Sequence, residues 1–396
     1  MRFAIVRQHY NPDGAVERVT ERALEALLER NVAVSLYTRS SPQTRLQLIE
    51  PVICNPFFVG ELWRDWGFAN AASRSIRRTM PSLVEAHEPM LCCDVYRAGD
   101  GVHAVRLEER LKHAAALERL SLACSPHSRY MQRIEARLFA SPWLRTVICK
   151  SKMVGEEIRA RFAVPASKLN VIYNPVDGER FQPRVRGRRE KTLAWLRIDA
   201  SATIFLVVCR DLAQCAYATT IDALAEVPPP AHLVAVCSPG AAKRFRAYAR
   251  SRGIGTRVTA ADPHVDLRPY YGAADVFVAP SIYEPSPDTA LEAMACGLPV
   301  IASTKSGVAE LLDEHQCGLA FPSTDVAALV AHMHSLADPA MRVRFGENAR
   351  RATLALSPSA TTLSLVLLYR DLLAASVPGS APRASGRGGL DPVNGP

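Results

Sequence analysis

A chain of 396 residues is long enough for two domains rather than one. Its 48% hydrophobic and 22% charged residues are those of an ordinary soluble globular protein, and no apolar run reaches the eighteen or so residues of a membrane helix. A formal net charge of +9 favours anionic partners such as nucleic acid, anionic lipid or a phosphorylated sugar, but no nucleic-acid motif accompanies it.

The opening MRFAIVRQHYNPDG is too short and polar for a secretory leader and reads as a first buried strand, which makes the cytoplasm the expected location. Residues 2–7 are that strand, 9–14 a loop, 16–30 an amphipathic helix and 32–37 a second strand, a βαβ unit. Residues 55–78 interleave Phe57, Phe58, Trp63, Trp66 and Phe68 with Arg64, Arg74, Arg77 and Arg78. That pattern suits either a membrane-surface segment or a helix burying its aromatic face with arginines in water, and the second is the expectation. Residues 94–100 read DVYRAGD, a strand end and turn around Gly99 and Gly101. A polar, basic run at 184–191 suits an interdomain linker.

The second half alternates again. Strands are expected at 203–209, 232–237 and 257–260, with helices at 219–225 and 241–252. The ten cysteines form no C-x-x-C pair and several, such as Cys149, Cys209 and Cys237, sit in apolar strand-like runs, so buried reduced thiols are expected. His332 and His334, two apart on a helix, point in different directions and are no metal pair. Then comes DVFVAPSIYEPSPDTALEAMACGLPVIASTKSGVAELL at 275–312: a buried strand to Pro280, a proline-held loop, a helix from Asp288 to Cys296 stopped by Gly297, and a strand at 298–302. The loop opens onto a helix N-terminus, where free N–H groups favour anions. Beyond residue 325 the chain is helical, and 376–396, rich in Pro, Gly, Ser and Arg, is expected to be disordered.

Glu284 and Glu292 bracket that loop with seven residues between them, followed by EAMACGLPV and then Gly307 and Glu310. This resembles the E-x7-E motif of glycosyltransferase family 4, the retaining GT-B enzymes. DVYRAGD, with Asp100 last, is similar to a stretch in the branch that elongates lipopolysaccharide core, and VIYNPVD at 171–177 to the landmark closing the family's N-terminal domain. The fold the resemblance implies is α/β of GT-B type, two Rossmann-like doubly wound parallel-sheet domains facing a cleft. Its parts would be an acceptor domain at 1–183, a linker at 184–191, a nucleotide-sugar domain at 192–358 and a helix at 359–375 returning to the first domain.

The implied reaction moves a hexose from a nucleotide diphosphate sugar to a lipid-linked saccharide, with lipopolysaccharide core the expected acceptor and the inner membrane surface a possible partner. Charge then builds on the leaving diphosphate, which helix N-termini and Arg or Lys can stabilise without a metal. No D-x-D motif is present, and no cofactor is expected besides the donor. Glu292 would accept the two ribose hydroxyls, and Glu284 would read the donor sugar near its developing positive charge. Pro285 and Pro287 have no N–H, so Ser286, Asp288 and Thr289 would supply the loop's donors. Gly14 belongs to the opening loop, where it permits a φ > 0 turn, and Asp100 would orient or deprotonate the acceptor hydroxyl, with His103 an alternative. Relatives carry Arg-Lys-Gly or Lys-Gly after the first strand of the second domain; this chain has Gln214-Cys215-Ala216 and only Arg210 nearby. That departure supports a rival, a non-catalytic sugar- or partner-binding protein of the same fold.

Overall fold

A computed structural model of the chain describes residues 2–11, 14–28, 33–40, 49–262 and 266–375. Asp13 and the tail at 376–396 lie outside the described residues. The chain divides into two compact units, one made of residues 1–175 with the chain from Pro358, the other of Val176–Ser357.

Among the described residues the first unit holds seven strands: β1 (Arg2–Val6), β2 (Ala33–Thr38), β3 (Ile49–Ile53), β4 (Leu83–Ala86), β5 (Val95–Ala98), β6 (Thr146–Cys149) and β7 (Leu169–Val171). They pair in parallel in the order β3-β2-β1-β4-β5-β6-β7. The second unit holds β8 (Thr203–Cys209), β9 (Ala231–Cys237), β10 (Val258–Ala261), β11 (Val276–Ala279), β12 (Val300–Ser303) and β13 (Gly318–Phe321), also parallel, in the order β10-β9-β8-β11-β12-β13. Strands such as β4, β5, β6, β11 and β12 are buried at every residue, which is why they read as unbroken apolar runs instead of alternating ones. Parallel neighbours require crossovers; helices supply most of the described ones, while β4 runs to β5 through turns at 87–94.

Each sheet therefore starts near its middle and grows outward twice. The order reverses between β1 and β4 in the first unit and between β8 and β11 in the second. In such sheets the connections leaving the carboxyl ends diverge at the reversal and leave a crevice. The candidate residues gather at these two places.

The helix Pro358–Ala374 packs in the first unit, although 182 residues of the other unit (176 to 357) separate it from the rest. It buries Leu365, Tyr369 and Leu373 among Phe3, Ile5, Val19 and Leu36. Beneath it lies a charged network: Arg97 Nε donates to Glu85 Oε1 at 2.8 Å, Tyr369 Oη donates to Glu85 Oε2 at 2.5 Å, and Arg97 Nη2 donates to Tyr369 Oη at 3.1 Å. Burial alone would raise the Glu85 carboxyl, but Arg97, His87 and Tyr369 hold it down at about 2. The helical stretch Pro339–Ala374 contains a window apolar enough to cross a membrane by composition. Within it, however, Pro339–Leu354 and Pro358–Ala374 are separate helices, and the second is packed as just described.

Residues 184–191 are not a linker. They form a 3-10 turn, Pro183–Arg188, running into the helix Arg189–Leu196, and lie inside the second unit. The chain passes between units at 175–176 and 357–358 instead. Basic composition suggested a solvated run, but Arg189 donates to Asp275 Oδ2 at 2.9 Å, to the Ala202 carbonyl at 3.1 Å and to the Ala273 carbonyl. Those bonds tie the segment to the start of β11. Gly297 does stop its helix in the left-handed region, at φ +78, and Gly346 packs so close that a Cβ there would stand 2.2 Å from the Gly297 carbonyl oxygen.

Candidate active site

At the second unit's reversal, the loop after β8 is stitched to the loop after β11. Ala216 N–H donates to the Pro280 carbonyl at 2.7 Å and Ile282 N–H to the Gln214 carbonyl at 2.8 Å. Asp211 caps the turn between them, accepting from Ala213 N–H at 2.9 Å. Backbone bonding thus fixes the loop that carries Gln214-Cys215-Ala216. Cys215 is buried there, in hydrogen-bond contact with Cys209.

Glu284 and Glu292 both follow β11 at this reversal. Glu284 is pinned through its backbone: its N–H donates to the Lys305 carbonyl and its carbonyl accepts from Gly307 N–H, each at 2.9 Å. Its Oε2 accepts from Ser281 Oγ at 2.5 Å. Glu292 lies in the helix Asp288–Ala295, where Tyr271 Oη donates to Oε2 at 2.8 Å. Tyr271 is fully buried, so its hydroxyl has a fixed direction. Each acid is held through one oxygen by a neutral hydroxyl.

Two cations bear on these acids: Arg210, as read from the sequence, and Arg180, which was not. Arg210 is exposed at the end of β8, and its charge bears on Glu284, Glu292 and Tyr271. Arg180 bears on Glu292 and on Asp266. It enters from a turn 112 positions before Glu292, a distance no local pattern bridges. Ser286 Oγ donates to Asp288 Oδ1 at 3.3 Å, and Asp288 N–H donates to the Ser286 carbonyl at 3.0 Å. The Asp288 amide is therefore engaged, a correction to its expected role as a free donor. Thr289 is buried in the helix's first turn.

The remaining candidates lie in the first unit. Asp100 is exposed in the turn after β5, on the wall of a cavity at that unit's reversal. Gly14 precedes the helix Ala15–Leu28, and its N–H donates to the Asn11 carbonyl at 2.9 Å. Its backbone is outside the left-handed region, so the expected φ > 0 turn is not there, and a Cβ would meet only the end of the flexible Glu17 side chain. The His103 ring, lowered to about 4 chiefly by burial and then by Arg106, is neutral near pH 7.

Burial raises both Glu284 and Glu292 above the ordinary range, with Asp288 adding to the shift and Arg210 opposing it. A carboxylate in the role expected of Glu292, accepting two hydroxyls, works ionised. Donor affinity is therefore expected to fall as acid protonates Glu292, beginning above the pKa of about 4.3 of a free glutamate. Calorimetric titrations from about pH 8 down to about pH 5 check this, and a flat profile contradicts it.

Comparison with known proteins identifies the family. Residues 16–180 match the model described as Glycosyltransferase Family 4, and residues 189–352 the model described as Glycosyl transferases group 1. The alpha-maltose-1-phosphate synthase of Mycobacterium tuberculosis is 26% identical over 388 residues, covering 89% of this chain and 94% of that protein. Its namesake from Mycolicibacterium smegmatis is 28% identical over 219 residues, 52% of this chain and 57% of its own length. Among solved structures, WaaG, a glycosyltransferase involved in lipopolysaccharide biosynthesis, superposes with a TM-score of 0.73 at 19% identity, covering 92% of this chain and 99% of that one. Anabaena HepE, solved in complex with UDP-glucose, superposes with a TM-score of 0.66 at 16% identity, covering 94% and 100%. With both halves matched in order, and two parallel-sheet Rossmann-like units beneath them, the chain belongs to the family 4, group 1 glycosyltransferases of the GT-B fold.

Proposed function

We propose that this glycosyltransferase moves a hexose from a nucleotide diphosphate sugar to a lipid-linked saccharide of lipopolysaccharide core or a related cell-envelope glycan, with retention and without a metal ion. The observation that carries the donor half is the placement of Glu284, Glu292 and Arg210 at one sheet reversal. Glu292 accepts the ribose hydroxyls and Glu284 the donor sugar's hydroxyls. Arg210, Ser286 and Thr289 face the diphosphate at the start of the helix Asp288–Ala295. Asp100 in the first unit orients or deprotonates the acceptor hydroxyl. HepE's complex with UDP-glucose supports a nucleotide-sugar donor, and WaaG's role supports the acceptor class. Incubating the chain with a nucleotide-sugar panel and lipid-linked core saccharides should add one hexose by mass. Hexose addition to free sugar alone would move the acceptor assignment elsewhere.

The rival reading, a non-catalytic binding protein, is favoured by the loop at Gln214–Cys215, where the Gln214 Oε1 is buried without a protein donor instead of a lysine reaching a phosphate. Nucleotide-sugar binding without turnover on any acceptor would select it.

A lipid-linked acceptor places the enzyme at the cytoplasmic membrane face. The helix Gly60–Thr79 buries Phe68, Ala72 and Ile76 but leaves Trp63 out, and the preceding Phe57 is 84% exposed. The expected burial of its aromatic face thus holds only in part. Arg74, Arg77 and Arg78 are exposed on the same helix. Such a surface suits an anionic bilayer. Replacing Phe57 and Trp63 with serine is expected to weaken binding to anionic vesicles about tenfold, read by co-sedimentation. Equal partitioning of both proteins contradicts the assignment.

A further inference from the structure

The second unit has a further opening at the amino end of its sheet, whereas Glu284 follows the carboxyl end of β11. It is a cavity of about 1330 Å³, solvent-open space included, beside Asp275 at the start of β11 and Cys296-Gly297 shortly before β12. Its other walls are the 3-10 turn Pro183–Arg188 and the helix Pro339–Leu354. The reaction proposed above uses none of its lining residues.

Four arginines line it, Arg186, Arg342, Arg350 and Arg351, against two acids, Asp275 and Glu347. Asp275 is already engaged: its Oδ2 accepts from Arg189 at 2.9 Å and from Ile204 N–H at 2.8 Å, and Arg186 stands 3.7 Å from Oδ1. The other three arginines bond to neutral acceptors. Arg342 Nη1 donates to the Leu336 and Ala337 carbonyls at 2.9 and 2.7 Å. Arg350 donates to the Phe181, Ala295 and Gly178 carbonyls at 3.1, 3.2 and 3.1 Å, and Arg351 to Asn348 Oδ1.

Some of this charge serves helix ends, since those carbonyls close the helices Val326–Ser335 and Asp288–Ala295. Each such end carries about half a negative charge, and the start of Pro339–Leu354, capped by Asp338, returns about half a positive one. With Arg189 set against Asp275, and Glu347 and Asp338 counted in full, roughly one and a half positive charges remain in excess. They share one space. The Arg186 side chain is 40% exposed; partial burial lowers its guanidinium, opposed by Asp275 and helped by Arg189 and Arg342. Burial pushes the Cys296 thiol on the wall up to about 12, against the charges of both Arg350 and Arg186.

An anion among these arginines relieves their repulsion, and guanidinium forks match phosphate oxygens in pairs. A bare phosphate would fill only a small part of the volume. Val343, 62% exposed, with Pro183 and Pro339, adds apolar surface for the body of a ligand, and none of the lining residues is aromatic to stack a base.

We infer that this cavity is a second anion site, which takes the phosphate of a small non-aromatic phosphate ester on Arg186, Arg342, Arg350 and Arg351, separately from the donor's diphosphate. The inference stands on the geometry of the second unit and does not depend on the transferase reading.

Calorimetric titration of the full chain with glucose 6-phosphate, inorganic phosphate and glucose, each with and without saturating UDP, tests it. Glucose 6-phosphate should bind at least about tenfold tighter than either of the others, whether or not UDP is present. Arg186→Glu and Arg351→Glu, both at exposed positions, should each weaken it about tenfold and leave UDP affinity unchanged. Lys243→Glu, the same charge change on the exposed surface of another helix, should leave both affinities as they are. Inorganic phosphate binding as tightly as the ester, binding lost once UDP is present, an equal loss in Lys243→Glu, or folded arginine variants that bind as before each overturns the inference. Failure of UDP to bind, with ester binding and its arginine dependence intact, would instead count against the donor site and leave this one standing.

Discussion

Replacing Glu292 with alanine is expected to lower affinity for a nucleotide diphosphate sugar by roughly two to four decades without disturbing the fold. In the proposed role the carboxylate accepts two ribose hydroxyls, and each charge-assisted bond is worth about 1.5–3 kcal/mol. Alanine suits the middle of the Asp288–Ala295 helix, so the loss would be one of binding. Tyr271→Phe should follow at about tenfold, because the 2.8 Å bond that aims Glu292 is gone while the acid remains. Calorimetry of the two variants, with thermal unfolding as control, checks both. An unchanged affinity in the alanine variant would remove Glu292 from the site.

The largest effect on stability is expected at Glu85. It is fully buried and shares its oxygens between Arg97 and Tyr369, with His87 3.1 Å away. Alanine there would leave the Arg97 guanidinium, only 4% exposed, without a counter-charge. Breaking a buried pair on one side costs about 3–5 kcal/mol. The first unit should then melt roughly 6–20 °C lower, with the transition of the second unit unmoved. Scanning calorimetry separates the two if they unfold independently, and exchange at the amides of β4 and β5 identifies which unit has loosened. The pH dependence has a definite sign. Glu85 is held below its unfolded value, so its contribution is complete above about pH 4.5 and disappears as the pH falls toward about 2. Destabilisation of the alanine variant should thus narrow in acid.

What could be read in the chain beforehand follows a physical divide. The strand, loop and helix around Glu284 and Glu292 were legible because their punctuation is local: Pro280, Pro287 and Gly297 act on the backbone where they stand. The same holds for Cys149, Cys209 and Cys237, whose apolar neighbours announced burial and which are buried, free thiols. The 184–191 segment was misread because composition cannot show that Arg189 ends on Asp275, 86 residues away. Arg180, Tyr271 and Ser281 escaped notice for a related reason, since each acts on a carboxyl through folding and none stands out by type. The cavity of the first unit was the least legible part. Gln8, Glu88 and Asp100 come from the separate connections after β1, β4 and β5 and Glu135 from a helix, and a polar residue after a strand is commonplace until the sheet order brings several to one reversal.

Loss of the family's lysine at Gln214–Cys215 bears on how strongly the donor is held. The charge of Arg210 reaches both glutamates and that of Arg180 reaches Glu292, and in the proposed binding mode a helix start adds a partial positive charge at the diphosphate. Donor binding in the micromolar to sub-millimolar range is the corresponding expectation.

A structure of this chain bound to a nucleotide diphosphate sugar tests the donor assignment most directly. The account predicts both ribose hydroxyls within about 3 Å of the Glu292 carboxylate, the sugar's hydroxyls on Glu284 and the diphosphate at the start of the Asp288–Ala295 helix. A nucleotide seated away from the reversal between β8 and β11, or a chain that takes up none of a full nucleotide-sugar panel, would contradict it.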